Sequence, residues 1–248
     1  MRRFAEMNRE QLRESSGALI VLPLGATEQH GPHLATGTDT FTVGAVAEEA
    51  ARIAASRIPV IVAPVLPFGS SDHHLIFGAT LSLSTETYYR VLRELVQSLA
   101  TDGFRKVFLI NGHGGNHELA ELAARDVALN RALDVAAGSY WAIAWEALVA
   151  EGAHLGRRLP GHAGDFETSM MLSLRPDLEP GPSPLRDDAP PPDPSRRVAP
   201  WRTERHGAWK QIDGYSDSPV NASAANGKRF FDVIVRTVAD AFVEFHQG

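Results

Sequence analysis

Three runs of continuous apolar residues constrain the fold of this chain most strongly. The segments ALIVLPLG (18–25), IPVIVAPV (58–65) and KVFLING (106–112) are rich in β-branched residues and show no polar–apolar alternation. Runs of this kind are typical of parallel strands that are buried on both faces of a sheet. We therefore expect a mainly parallel sheet with helices packed against each face.

Helical patterns separate these predicted strands. Apolar residues recur at helical spacing between Glu86 and Asp102, and Ser84 precedes them as a plausible N-cap. A second apolar stripe, which predicts the last helix, consists of Phe231, Ile234, Val235, Val238 and Phe242. Because strands and helices alternate along the chain, the sequence predicts an α/β fold.

A proline-rich segment at about residues 176–200 interrupts this alternation. The stretch 175–200 holds nine of the sixteen prolines of the chain. Proline removes a backbone donor and fixes φ, so we expect an irregular excursion that serves as a surface loop, a subunit contact or a lid. Since only one recognisable helix follows it, we expect a single domain over residues 1–248.

Charge and composition exclude several classes of partner. The net charge of −6 and the scattered basic residues argue against nucleic acid. No apolar stretch approaches the roughly 20 residues that span a bilayer, and the N-terminus lacks the apolar core of a secretory signal. We therefore expect a cytoplasmic protein without a membrane partner. Because the chain has no cysteine, any bound metal would need nitrogen and oxygen ligands.

Polar residues suited to metal binding follow each predicted strand. Glu28, His30 and Asp39 follow the first, GSSDHH follows the second, and NGHGGNHE with His113 follows the third. Seven of the ten histidines lie in these segments or in GHAGDFETS, which contains His162. Ligands of parallel sheets bind beyond the carboxyl ends of the strands, so we expect these side chains to converge there.

Each of these residues also has a structural interpretation. Asp39 could be the N-cap of the following helix, and His30 could be a hydrogen-bonded structural histidine. The glycines around His113 could form a flexible turn or hold phosphate, although their spacing fits no nucleotide-binding motif. Glu167 could be a carboxylate that only stabilises the first turn of a helix, and His162 could cap a turn.

A serine hydrolase is disfavoured because the motif G-x-S-x-G is absent. Taken together, the residues favour a metal site.

Three motifs resemble the signatures of the creatininase (creatinine amidohydrolase) family. LPLGATEQHGPHLATGTD is similar to the first signature, NGHGGN to the second and GHAGDFETS to the third. Weaker similarity in HHLIFGATLSLS and DSPVNASAANGK extends the match over nearly the whole chain. The resemblance implies a three-layer α/β/α fold, a ring-like homohexamer and an amidohydrolase site with two divalent ions, usually zinc, manganese or iron.

The resemblance also implies roles for individual residues. Glu28 and His113 would bind one ion, His30 would bind the other, and Asp39 would bridge the two. His162 is similar to the catalytic histidine of the family, which shuttles a proton to the leaving nitrogen.

The second signature departs from that of the creatinine-hydrolysing enzymes at one position. Those enzymes have a glutamate two residues after its histidine, where this chain has Gly115. Glu167 in the third signature is expected to supply the missing ligand. Relatives with N-G-H-G-G-N include deformylases of flavin and deazaflavin biosynthesis and a peptidase that trims a redox-cofactor precursor.

The expected function is metal-dependent hydrolysis of a C–N bond other than a peptide bond. The substrate would be a small cyclic or linear amide, and a metal-activated water would attack its carbonyl carbon. Deformylase activity or trimming of a cofactor precursor by the same site is the alternative. A third interpretation is a non-catalytic α/β protein that uses NGHGGN to hold an anion, with an affinity that survives chelation of metals.

Overall fold

The computed structural model describes residues 1–153, 159–178, 180–182, 184 and 205–248. Its strands are β1 (Arg2–Arg3), β2 (Leu19–Leu24), β3 (Val60–Val62), β4 (Lys106–Asn111) and β5 (Asp134–Ser139). They form one sheet in the order β1-β3-β2-β4-β5, and every neighbouring pair is parallel. The central strands β2 and β4 pair along their full length, so their carboxyl ends lie side by side.

Helices connect the strands and continue after the sheet. They are α1 (Arg9–Arg13), α2 (Thr38–Ala54), α3 (Thr85–Thr101), α4 (His117–Asn130), α5 (Tyr140–Ile143), α6 (Trp145–Ala150), α7 (Asp165–Leu174), α8 (Ala208–Gln211) and α9 (Ala224–Gln247). Short 3-10 turns span Phe4–Glu6, Asp72–Phe77 and Gly114–Asn116. Among the described residues, no helix is both long and apolar enough to cross a membrane.

The sheet is buried on both faces, as the continuous apolar runs predict. Successive residues of β2 alternate between the faces: Leu19 and Val21 pack into a core with α2, α7 and α9. Ile20 and Leu22 pack into a second core with α3 and α4. This arrangement confirms the predicted three-layer α/β/α fold with a parallel sheet.

Local predictions agree with the structure at most positions. All three predicted strands are present, and the Ser84 side chain caps α3 by accepting a hydrogen bond from the Thr87 backbone N–H at 3.3 Å. The stripe on α9 is shifted at its start, because Phe230 is buried whereas Phe231 packs only partly against the core. The edge strands β1 and β5 were not predicted, since one has two residues and the other reads DVAAGS without a strong apolar run.

Most of the predicted proline-rich excursion lies outside the described residues, namely positions 179, 183 and 185–200. Two contacts locate its described part. The Gly181 backbone N–H donates a hydrogen bond to the His33 carbonyl oxygen at 2.9 Å, and the Ser218 hydroxyl donates one to the Pro184 carbonyl oxygen at 3.2 Å. This part therefore lies against the loop that follows β2. The single domain over residues 1–248 stays a prediction.

Helix α7 is held in place by a close approach to α9. A Cβ atom at Gly227 in α9 would overlap the Ser169 carbonyl group of α7. The Ser223 backbone N–H also donates a hydrogen bond to the Ser169 hydroxyl at 3.1 Å. Because α7 carries Glu167, this contact also determines where that carboxylate lies.

We expect Gly227→Ala to lower the free energy of unfolding. Overpacking costs about 1–3 kcal/mol, whereas the higher helix propensity of alanine contributes only about 1 kcal/mol. Urea unfolding measures the difference. The matched control is Gly44→Ala in α2, where a Cβ atom would meet only the Val65 Cγ2 atom at 3.2 Å. Equal stability of Gly227→Ala and the unchanged protein would contradict this account of the contact.

Candidate metal centre

The five predicted ligand residues converge at the carboxyl edge of the sheet. Glu28 and His30 follow β2, His113 follows β4, and Asp39 and Glu167 lie in the first turns of α2 and α7. All five side chains are buried. The parallel pairing of β2 with β4 therefore brings residues that are distant in sequence into one cluster.

Asp39 lies between two imidazoles. Its Oδ1 atom is 3.3 Å from His30 Nε2, and its Oδ2 atom is 3.1 Å from His113 Nδ1. Glu28 Oε1 is 3.2 Å from the same His113 nitrogen, and Glu167 Oε2 is 3.7 Å from the same His30 nitrogen. Asp39 is thus shared by two groups that could each hold a metal ion, since the potential ligand atoms within each group lie within 4.8 Å of one another.

The contacts of Asp39, His30 and Glu167 test the alternative that these residues have only structural roles. Asp39 is not the N-cap of α2, because that position belongs to Gly37 and Asp39 lies inside the first turn. His30 Nδ1 contacts the Glu28 carbonyl oxygen at 3.1 Å, which leaves Nε2 directed at the carboxylates. Glu167 Oε2 accepts a hydrogen bond from the Ala163 backbone N–H at 2.6 Å, so this side chain does have a structural contact.

Several buried polar atoms of the cluster make no hydrogen bond of good geometry to any residue that the structure describes, although ion-pair neighbours lie 3.1–3.3 Å from some of them. They are both carboxylate oxygens of Glu28, Nε2 of His30, Oδ2 of Asp39 and Nε2 of His74. Burial of such atoms without a partner is costly. A divalent cation would satisfy the oxygens and the His30 nitrogen, and a set of nitrogen and oxygen donors suits zinc, manganese or iron. The donor set therefore fits a metal centre.

The charges of the side chains in the cluster compensate one another. Burial opposes protonation of His30, but Asp39 and Glu167 outweigh it and raise the pKa of His30 to about 10. Burial likewise opposes protonation of His113, yet Glu28 and Asp39 raise its pKa well above the usual value. Burial raises the pKa of Glu167 to about 8. Protonated imidazoles thus supply positive charge where metal ions would supply it.

His162, the predicted catalytic histidine, lies beside this cluster. Its Nδ1 atom is 3.7 Å from Glu28 Oε1, and its Nε2 atom is 2.9 Å from the Gln29 carbonyl oxygen. Its ring lies 4.3 Å from the His30 ring between centroids. Burial, reinforced by the charge of His30, lowers the pKa of His162 to about 3, so the imidazole is neutral.

The sequence prediction assigned no role to His74, which the structure places in the same cluster. Its Nε2 atom is 3.6 Å from Glu28 Oε1, its ring stacks on His162 with centroids 4.3 Å apart, and burial lowers its pKa. Trp209 of α8 contacts both rings and forms a wall beside them. The sequence signal was GSSDHH, but nothing in it distinguishes buried His74 from half-buried His73.

The structure has no room for a side chain at position 115. A Cβ atom at Gly115 would overlap the Ser70 carbonyl oxygen and lie 2.6 Å from His113 Nε2. That His113 nitrogen is 3.1 Å from the Ser70 carbonyl oxygen, which leaves Nδ1 for the carboxylates. A glutamate at position 115 would therefore require movement of the backbone.

The comparisons with known proteins agree with these motifs. The creatininase family model, described as creatinine amidohydrolase, matches residues 5–242. A mycofactocin precursor peptide peptidase from Mycobacterium tuberculosis (strain ATCC 25618 / H37Rv) is 36% identical over 228 residues, which cover 89% of this chain and 83% of the relative. A creatinine amidohydrolase from Pseudomonas putida is 31% identical over 250 residues, which cover 91% of this chain and 89% of the relative.

Solved structures share the fold over nearly the whole chain. A crystal structure of creatinine amidohydrolase (creatininase) matches with a TM-score of 0.78 at 27% identity, and the match covers 98% of this chain and 97% of that chain. Other solved creatininases that match include a manganese form and a variant described as a Zn–Zn type.

We expect metal binding to release at least two protons, one each from His30 and His113. Both imidazoles hold an extra proton in the metal-free cluster, and a cation must displace it to reach the nitrogen. The apparent affinity should therefore rise as the pH approaches the pKa of His30. Calorimetric titration of the stripped protein with Zn²⁺, in buffers of different ionisation enthalpy, counts the protons.

The matched control for this titration is His246→Gln, which changes a half-buried histidine near the end of α9 whose Nε2 atom contacts the Gly17 carbonyl oxygen, and it should leave the proton count unchanged. Zinc binding without proton release in the unchanged protein would contradict this prediction.

Proposed function

The chain belongs to the creatininase family, and from this premise we propose that it is a hydrolase that uses two divalent metal ions to cleave an amide C–N bond. The observation that carries the proposal is the position of Asp39, which turns one carboxylate oxygen toward His30 and the other toward His113. A carboxylate that bridges two ions about 3.5–4 Å apart needs this arrangement.

We assign one ion to Glu28, Asp39 and His113, and the other to His30, Asp39 and Glu167. The two groups support this assignment because each combines imidazole nitrogen with carboxylate oxygen. Zinc, manganese or iron would suit such ligands. Two divalent ions carry more positive charge than three carboxylates neutralise, so when bound they can activate a water molecule and stabilise the oxyanion that forms.

His162 would handle the proton in this reaction. Its Nε2 atom is occupied by the Gln29 carbonyl oxygen, whereas Nδ1 is directed at Glu28. A neutral imidazole with a free Nδ1 can accept a proton from the attacking water and pass it to the leaving nitrogen. The buried position of the ring keeps bulk water from competing for that proton.

Two classes of substrate are compatible with this chemistry. The first is the small non-peptide amide that the sequence predicts, and creatinine itself is disfavoured because Gly115 has no room for the glutamate of creatinine-hydrolysing enzymes. The second is a short peptide or a peptide precursor. Its support is the 36% identity with a mycofactocin precursor peptide peptidase over 89% of this chain. Non-catalytic anion binding is disfavoured, since Glu28 and Asp39 face His113 where an anion would lie.

The test is an assay of the zinc- or manganese-loaded protein against creatinine, formamidopyrimidines, small lactams and short peptides, with products identified by mass spectrometry. We expect cleavage of an amide other than creatinine, loss of activity on chelation and recovery when the metal is restored. Asp39→Asn should abolish turnover and metal retention together, because a neutral amide bridges two cations poorly. Asp240→Asn, at an exposed position of α9, should keep both.

Two outcomes would refute the proposed function. Full activity in Asp39→Asn would refute the bridging role. Ligand affinity that survives complete removal of the metal, with no turnover of any amide, would favour an anion-binding protein.

We expect Glu167→Gln to lose selectively the ion held by His30. An amide oxygen can still accept the hydrogen bond from Ala163, but it lacks the charge that a divalent ion requires. Metal content by mass spectrometry and turnover are measured on the same sample, and Glu94→Gln on the exposed face of α3 is the control. If Glu167 is only a favourable first-turn carboxylate, both ions stay and stability changes by at most about 1 kcal/mol.

We also propose that the chain forms a homohexamer, as the family resemblance implies. Exposed apolar side chains in the segment around His74 support a covered face there. Phe68, Leu75, Ile76 and Leu81 lie within one stretch of sequence, and each leaves 41–65% of its area exposed. Such a concentration of exposed apolar side chains is typical of a protein interface. The cytoplasmic location stays a prediction.

A further inference from the structure

Gln29 makes more side-chain contacts than its place between two ligand residues suggests. It is buried, and its Nε2 atom lies 2.7 Å from the Gly214 carbonyl oxygen and 2.8 Å from His74 Nδ1. Its Oε1 atom accepts a hydrogen bond from the Gly31 backbone N–H at 2.9 Å. The side chain therefore links the loop after β2 to His74 and to the segment that precedes α9.

These partners determine which terminal atom of the Gln29 amide is the oxygen and which is the nitrogen. A backbone N–H can only donate, so the atom that faces Gly31 is the oxygen. A carbonyl can only accept, so the atom that faces Gly214 is the nitrogen. The second hydrogen of that nitrogen points at His74 Nδ1, which must therefore be unprotonated so that it can accept the hydrogen bond. Neutral His74 then carries its proton on Nε2, 3.6 Å from Glu28 Oε1.

The main chain of Gln29 determines the proton position of His162 in the same way. The Gln29 carbonyl oxygen is 2.9 Å from His162 Nε2, and a carbonyl at that distance requires the hydrogen to be on the nitrogen. Gln29 Nε2 also lies 3.3 Å from His162 Nε2, but Gly214 and His74 already use its two hydrogens. His162 Nδ1 is therefore unprotonated, and it lies 3.7 Å from Glu28 Oε1.

We propose that Gln29 is a positioning residue that holds both His74 and His162 in the Nε2–H tautomer. The two rings turn different nitrogen atoms toward Glu28: Nε2 in His74 and Nδ1 in His162. His162 turns an unprotonated Nδ1 toward Glu28, and this atom can accept a proton. His74 turns an Nε2–H group toward Glu28, and this group can only donate a hydrogen bond. The catalytic meaning of this difference rests on the proposed function. The tautomers themselves follow from the contacts of Gln29.

This assignment gives His74 a definite role. With its hydrogen on Nε2, His74 could bind a metal through that atom only if the hydrogen moved to Nδ1 and the hydrogen bond from Gln29 were lost, so the group of Glu28, His73 and His74 is disfavoured as a third metal site. Its N–H instead lies 3.6 Å from the Glu28 Oε1 atom, beyond hydrogen-bond distance, and turns the positive end of its dipole toward that carboxylate. Loss of a group that positions a metal-binding side chain typically costs 10- to 100-fold in metal affinity or activity.

The test is ¹⁵N NMR of the zinc-loaded full chain with labelled histidine, in which His74→Gln and His162→Gln identify the two signals. We expect the Nε2–H tautomer for both residues in the unchanged protein. An Nδ1–H tautomer or an imidazolium at either residue would overturn the proposal without any variant of Gln29.

Two substitutions then separate the side chain of Gln29 from its main chain. Gln29→Glu has at most one proton to offer to two acceptors, Gly214 and His74, so the hydrogen of His74 should move to Nδ1. Gln29→Met offers none, so His74 should populate both tautomers. His162 should not change in either variant, because its partner is the backbone carbonyl of position 29.

Turnover provides the second readout. Gln29→Glu should lower kcat about 10- to 100-fold, whereas Gln97→Glu, the same chemical change at a remote position of α3, should leave kcat unchanged. An unchanged His74 tautomer in Gln29→Glu would overturn the proposal. The NMR measurement uses no substrate, so it tests this inference separately from the proposed function. If the protein cleaves no amide but both histidines have the expected tautomer, the proposed function is refuted and this inference stands.

Discussion

The contact of one carboxylate with two imidazoles is the interaction on which the rest of this structure depends. Asp39 reaches His30 with one oxygen and His113 with the other only because β2 and β4 are adjacent and in register at their carboxyl ends. That adjacency requires a sheet buried on both faces, which the apolar runs of the sequence supply. The fold and the centre are therefore specified by the same pairing of strands.

The sequence was sufficient to predict the fold and to select five residues that the structure brings together. Continuous apolar runs determine buried parallel strands, and the motifs mark the ends of those strands. It could not identify β5, whose small residues carry no strong pattern, or Gln29 and His74. Gln29 contacts His162 and Gly214, which lie 133 and 185 residues away, so only the folded chain shows their proximity.

Glu167 occupies a different kind of structural element from the ligand that it is proposed to replace. Position 115 lies in a glycine-rich turn after β4, whereas Glu167 belongs to α7. The placement of α7 depends on the close approach of Gly227 in α9. Packing on the outer face of the sheet, far from β4 in sequence, thus has a direct effect on the geometry of the centre.

The aromatic wall formed by Trp209 is encoded apart from the residues assigned to metal binding. The residues assigned to metal binding and proton transfer come from the loops after β2 and β4, from the first turn of α2 and from the region around the start of α7. Trp209 contacts three of the histidines, yet it belongs to α8, a short helix in the separate stretch of sequence that follows the proline-rich segment. Mutations in that stretch can therefore reshape the aromatic wall beside the histidines without altering any residue assigned to metal binding.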